Sequence, residues 1–68
     1  MPLEVWRLEK VIDKGNSTFI VHRGENGAIR VIHIKIIDEK GRGIQRMART
    51  RVWIWDGDFR LVVDEVYC

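Results

Sequence analysis

Residues 51–63 read Arg51-Val52-Trp53-Ile54-Trp55-Asp56-Gly57-Asp58-Phe59-Arg60-Leu61-Val62-Val63. An Asp-Gly pair sits between two runs of β-branched and aromatic residues. That pattern is a strong short-range hairpin signal, because a type I′ turn needs positive φ at both central residues. With Asp56-Gly57 as a two-residue loop, Ile54 faces Phe59, Val52 faces Leu61 and Thr50 faces Val63. Arg49 then faces Asp64, and Trp53 faces Arg60.

Working outward, three further turn signals divide the chain: Asp13-Lys14-Gly15-Asn16, Glu25-Asn26-Gly27 and Lys40-Gly41-Arg42-Gly43. The five segments they leave are rich in Val, Ile, Phe and Trp, and the sole proline is Pro2. No segment holds a helical period. Ile44–Arg49 is the best helical candidate, but one and a half turns are too short to stand alone, so it reads as the start of a long strand that carries a bulge.

Type I′ geometry at Asn26-Gly27 sets Val21 opposite Ile32 and Phe19 opposite Ile34. An odd-length loop around Gly41 places Ile32, Ile34 and Ile36 on the face of Ala48, Thr50, Val52 and Ile54. A two-residue loop at Gly15 adds Trp6, Leu8 and Ile12. The expected inner face is therefore Trp6, Leu8, Ile12, Phe19, Val21, Ile32, Ile34, Ile36, Ala48, Val52, Ile54, Phe59, Leu61 and Val63. The other face holds Val5, Val11, Ile20, Val31, Met47, Trp53, Trp55, Val62 and Val66 among His22, His33, Lys35, Arg49, Arg51 and Arg60. That is too apolar for a wetted sheet face, and no helix is available to cover either side. The expectation is one all-β domain over residues 1–68: a five-stranded antiparallel meander, curled into a small barrel or packed as a sheet dimer.

Composition narrows the functional classes. A chain of 68 residues buries only about 60% of its unfolded surface, so small domains usually recruit disulfides, a metal or a partner subunit. Cys68 is the one cysteine, which excludes an intramolecular disulfide. It leaves too few ligands for a zinc site, so a homo-oligomer is the expected support. No apolar run approaches the roughly 18 residues that cross a bilayer, and no signal or transit pattern is present. The chain is expected to be cytoplasmic and to bind no membrane.

The formal net charge is +2, but it is unevenly spread. Residues 28–55 carry Arg30, Lys35, Lys40, Arg42, Arg46, Arg49 and Arg51 against Asp38 and Glu39, whereas residues 56–68 carry Arg60 against Asp56, Asp58, Asp64 and Glu65. The stretch Lys40–Arg51 runs directly into Trp53 and Trp55. Cations for phosphates beside flat rings for bases are what a nucleic-acid surface requires. The candidate site is Lys35, Arg46, Arg49, Arg51, Trp53 and Trp55, with DNA or RNA as partner. The same residues have a plainer reading. Arg49–Asp64 and Trp53–Arg60 are ordinary cross-strand pairs. Trp and Arg are also the residues most enriched at protein-binding hot spots, so the face is alternatively a homo-oligomer interface of a structural or protein-interaction module.

No catalytic residue, cofactor site or metal site is expected. Ser17, Thr18 and Thr50 lie in no nucleophile elbow. The aspartates sit mostly at turns, where their side chains bond the backbone. Gly41-Arg42-Gly43 opens no helix and is not a phosphate loop. His22 and His33 are expected on one outer face, with no cysteine or carboxylate pair to complete a metal site. In length, strand count and its basic-aromatic strand the chain resembles small all-β nucleic-acid and regulatory modules of the SH3-like or OB-like kind. It lacks a cold-shock or RRM aromatic signature, and its regular hairpin series fits a meander better than a Greek key.

Overall fold

The structure, a computed structural model, describes residues 5–39 and 43–68. Five strands form one antiparallel sheet in sequence order: β1 (Arg7–Lys14), β2 (Ser17–Arg23), β3 (Ile29–Glu39), β4 (Gly43–Trp55) and β5 (Phe59–Tyr67). The meander is as expected. The sheet is open, with β1 and β5 at opposite ends of the order, so it does not close into a barrel. The Ile44–Arg49 segment is strand, and its pairing with β3 runs without a bulge. The expected turn at Lys40, Gly41 and Arg42 lies outside the described residues. Among the described residues no helix is long and apolar enough to cross a membrane.

Two of the expected registers hold. Lys14 pairs with Ser17 around the two-residue Gly15-Asn16 loop, and Ile12 pairs with Phe19. Glu39 pairs with Gly43, and the odd interval between them aligns Ile32 with Thr50 and Ile34 with Ala48.

The Asn26-Gly27 hairpin differs from expectation by one residue. Asn26 (φ 57°) and Gly27 (φ 77°) do take the positive angles their identities favour. The loop, however, has three residues, Glu25–Gly27 in a short 3₁₀ turn, closed by the Gly24 N–H donating to the Ala28 carbonyl at 2.8 Å. Gly24 is drawn into the loop closure beneath Trp6, where a Cβ would meet the indole at 2.7 Å. The pairs are therefore Phe19↔His33, Ile20↔Ile32 and Val21↔Val31. Since the side-chain period is two, one residue of slip transfers every side chain of a strand to the other face. Val21 and Ile32 lie on opposite faces, and so do His22 and His33.

At Asp56-Gly57 the loop also has three residues, Asp56–Asp58, with positive φ at Gly57 alone (85°). Trp55 therefore pairs with Phe59, their rings edge to face with centroids 4.9 Å apart. Trp53 pairs with Leu61 and Ile54 with Arg60, not Trp53 with Arg60 or Ile54 with Phe59. A bulge at Val62 then shifts the register again and sets Val52 opposite Val63 and Arg51 opposite Asp64. A second bulge at Glu9 lies on β1.

Each face can now be read row by row, since paired residues share a side. One face carries Lys10–Val21–Val31–Arg51–Asp64 and Ile12–Phe19–His33–Arg49–Val66. The other carries Leu8–His22–Arg30–Val52–Val63 and Val11–Ile20–Ile32–Thr50–Glu65. Neither face is covered. Among the described residues no hydrophobic side chain is fully buried, and Leu8, Ile44, Trp55 and Phe59 each expose half their surface or more.

Gly57→Val should destabilise the chain by about 1 kcal/mol or more, because a β-branched residue resists positive φ. Nothing lies within 4 Å of the added Cβ, so backbone strain alone is measured. Thermal melts at fixed protein concentration should show a drop of several degrees, on the order of 4–8 °C per kcal/mol.

Candidate functional site

β3 and β4 are the long central strands, and their register decides what gathers around Trp53. Arg49, Arg51, Trp53 and Trp55 alternate along β4 and so share a face. His33 and Lys35 on β3 lie opposite Arg49 and Met47 on that same face. Five of the six expected site residues are thus brought together. Arg46 is not: it pairs with Ile36 and lies on the reverse side.

The same face gains cations that the expected register had not placed there. From the Lys35 row to the Trp53 row it carries Arg7, Lys10, Lys14, Arg23, Lys35, Arg49 and Arg51, against Asp64 as its one in-register carboxylate. Glu9, in the β1 bulge, reaches Arg23 by paired hydrogen bonds of 2.9 and 3.2 Å. The reverse face carries Arg30, Arg46 and Arg60 against Asp13 and Glu65 and is much closer to neutral. The charge asymmetry along the sequence is thereby an asymmetry between two sides of one layer. We call these sides the cationic face and the neutral face.

Three local arrangements tune the cationic face. Arg49 donates from Nε and Nη2 to the two carboxylate oxygens of Asp64, both at 2.8 Å. The contact runs diagonally, since the direct partner of Asp64 is Arg51. These hydrogen bonds hold the Asp64 carboxyl below the ordinary aspartate range, with the charges of Arg49 and then Arg51 adding to the effect. Arg51 sits over the Trp53 ring at 5.8 Å, the cation that Arg60 had been expected to supply. Arg60 instead donates to Asp56 at 2.6 Å. His33 stacks on Phe19 with ring centroids 4.3 Å apart and planes within 8°, and its buried Nε2 has no hydrogen-bond partner.

Both expected ring systems are accessible to different degrees. Trp53 is half-buried, and Trp55 is 51% exposed, as is Phe59 beside it. The two rings form an aromatic step at the end of the cationic strip. Among the described residues no cluster of His, Cys, Asp and Glu has metal-binding geometry.

Because the Asp64 carboxyl is depressed in the folded chain, its pair with Arg49 contributes stability above the unfolded-state value and loses it as pH falls through the folded value. Carbon-detected NMR titration should place the Asp64 midpoint below that of a free aspartate, and Arg49→Ala should move it upward. An unmoved midpoint in the variant would show that the guanidinium is not the cause.

No family model, no curated protein and no solved structure matches this chain.

Proposed function

We propose that the chain is a small non-catalytic module that binds single-stranded nucleic acid across its cationic face. The charge segregation carries this reading. A basic chain of only +2 directs cations to one side of its sheet and interleaves them with Trp53, Trp55 and Phe59. Lysine and arginine release counterions from phosphates, while indole and phenyl rings stack on bases of any sequence. The exposed rings of Trp55 and Phe59 suit unstacked bases, whose faces a duplex does not offer. A single strand laid across the sheet can reach both the cations and the exposed rings. Self-association through this face is disfavoured, because a second copy would set cation against cation.

In this arrangement Arg51 and Lys35 meet phosphates, Trp55 stacks on a base and Asp64 competes with phosphate for Arg49. Fluorescence anisotropy with labelled single strands, titrated with salt, tests each role. Affinity should fall steeply with salt, and Arg51→Ala should reduce the slope by about 0.7, the share of one phosphate contact on a single strand. Trp55→Ala should cost roughly 1–3 kcal/mol on single strands. Asp64→Asn should tighten binding by freeing Arg49. Absence of binding to DNA and RNA at low salt, with the fold intact by circular dichroism, would overturn the proposal.

A further inference from the structure

We propose that the neutral face docks against the same face of a second copy, and that the projecting β3–β4 ribbon of each copy seats Ile36 and Ile44 in a hollow of the other. This inference rests on the surface left uncovered and not on nucleic-acid binding.

The surface sets the requirement. A compact monomer of 8.0 kDa exposes about 4,450 Å², whereas this chain exposes 5585 Å². The surplus of roughly 1,100 Å² is somewhat more than the ~800 Å² each partner contributes to a standard interface. The neutral face is suited to a second copy of itself. Its positions Ile20, Ile32, Ile34, Ala48, Thr50 and Val52 are uncharged, and its cations Arg30, Arg46 and Arg60 are largely offset by Asp13 and Glu65.

The fit is asymmetric along the strands. β2 pairs with β3 only as far as Lys35, and β5 pairs with β4 only from Ala48 onward. Beyond the Ile36 N–H, which donates to the Asn16 carbonyl at 2.8 Å, β3 and β4 continue as a two-stranded ribbon. On the neutral face this ribbon presents Ile36, 38% exposed, and Ile44, 70% exposed, with Arg46 directly opposite Ile36. At the opposite end of the same face lies an open hollow of about 450 Å³, lined by Trp6, Val52, Ile54 and Val63 together with Arg30 and Glu25, so that Glu25 of one copy is available to Arg46 of the other. A two-fold axis in the plane between two sheets, perpendicular to their strands, carries the ribbon of one copy over the hollow of the other, twice. The product is an aligned β-sandwich that buries both neutral faces and leaves both cationic faces outward.

The decisive variant is Ile44→Lys. In an isolated chain this position is exposed and beyond the five-stranded rows, so the fold survives; in the sandwich an ammonium is brought against apolar side chains and beside Arg30 in the hollow. Sedimentation equilibrium should return a dimer for the native chain. Ile44→Lys should weaken the dimer by about tenfold or more, whereas Arg51→Glu on the cationic face should leave it unchanged. Thiol labelling gives an independent reading in a Cys68→Ser background: Thr50→Cys should be protected in a concentration-dependent way, and Lys35→Cys should react freely. A native monomer at micromolar concentration, a dimer indifferent to Ile44→Lys, or protection of Lys35→Cys in place of Thr50→Cys would overturn the proposal. Loss of nucleic-acid binding in Arg51→Glu with the dimer retained separates this outcome from that of the functional reading.

Discussion

A single antiparallel layer has two faces and no interior, and this chain spends its hydrophobic residues on both. Ile32 and Val31 are sequence neighbours on the central strand, yet they point to opposite sides, each beside further aliphatic residues. No described hydrophobic side chain is therefore surrounded. The ladders satisfy backbone groups but cannot take both faces out of water. Hydrophobic burial is the main favourable term in folding and scales with the area removed from water. A sheet with two half-covered faces collects only part of it. The unfilled part is a property of the sequence, because strict alternation in an antiparallel sheet ordinarily leaves one face polar.

The elements were legible because turn chemistry and β-branched runs are local signals. Gly15, Asn26-Gly27 and Gly57 do mark the reversals, and the long β3–β4 pairing followed from residue parity alone. Loop length was less accessible. A positive-φ dipeptide states which residues can turn, not how many join them. At Gly24 the loop closes one residue earlier than the Asn-Gly pair alone predicts, and there the Trp6 ring packs where a side chain would otherwise be, a contact between residues 18 positions apart. The bulges at Glu9 and Val62 leave no local signature either. Each slip is small, but a period of two converts it into an exchange of faces, which moved Phe19 and Val21 to one side and Ile20 and His22 to the other.

The shared face of the candidate residues depended less on register than the make-up of the two faces did. Arg49, Arg51, Trp53 and Trp55 are two residues apart on one strand, so no register error separates them. Lys35 depended only on the β3–β4 parity. Arg46 is an odd number of positions from Arg49, and simple alternation already places it on the reverse side; grouping it with the others followed charge density and ignored the pleat. Lys10 could not be placed correctly, since its position depends on the Glu9 bulge. Lys14 and Arg23 sit at the ends of their strands, where turn geometry decides the face.

Charge resolves how two apolar faces can have different fates. On the cationic face, cations stand between the apolar side chains, and Asp64 neutralises only Arg49. Bringing two such faces together would desolvate like charges at a distance where they repel strongly. The near-neutral face has a smaller penalty, because Asp13 and Glu65 offset most of Arg30, Arg46 and Arg60, and it ends in a ribbon with exposed isoleucines on one side and a hollow on the other. Hydrophobicity alone would let either side associate. Electrostatics breaks that symmetry: on the proposed reading it is the near-neutral face that can be buried and the cationic face that stays hydrated and open to a polyanion. On that reading Asp64 is more than half of a surface ion pair, because a carboxylate bonded to Arg49 competes with any phosphate for the same guanidinium.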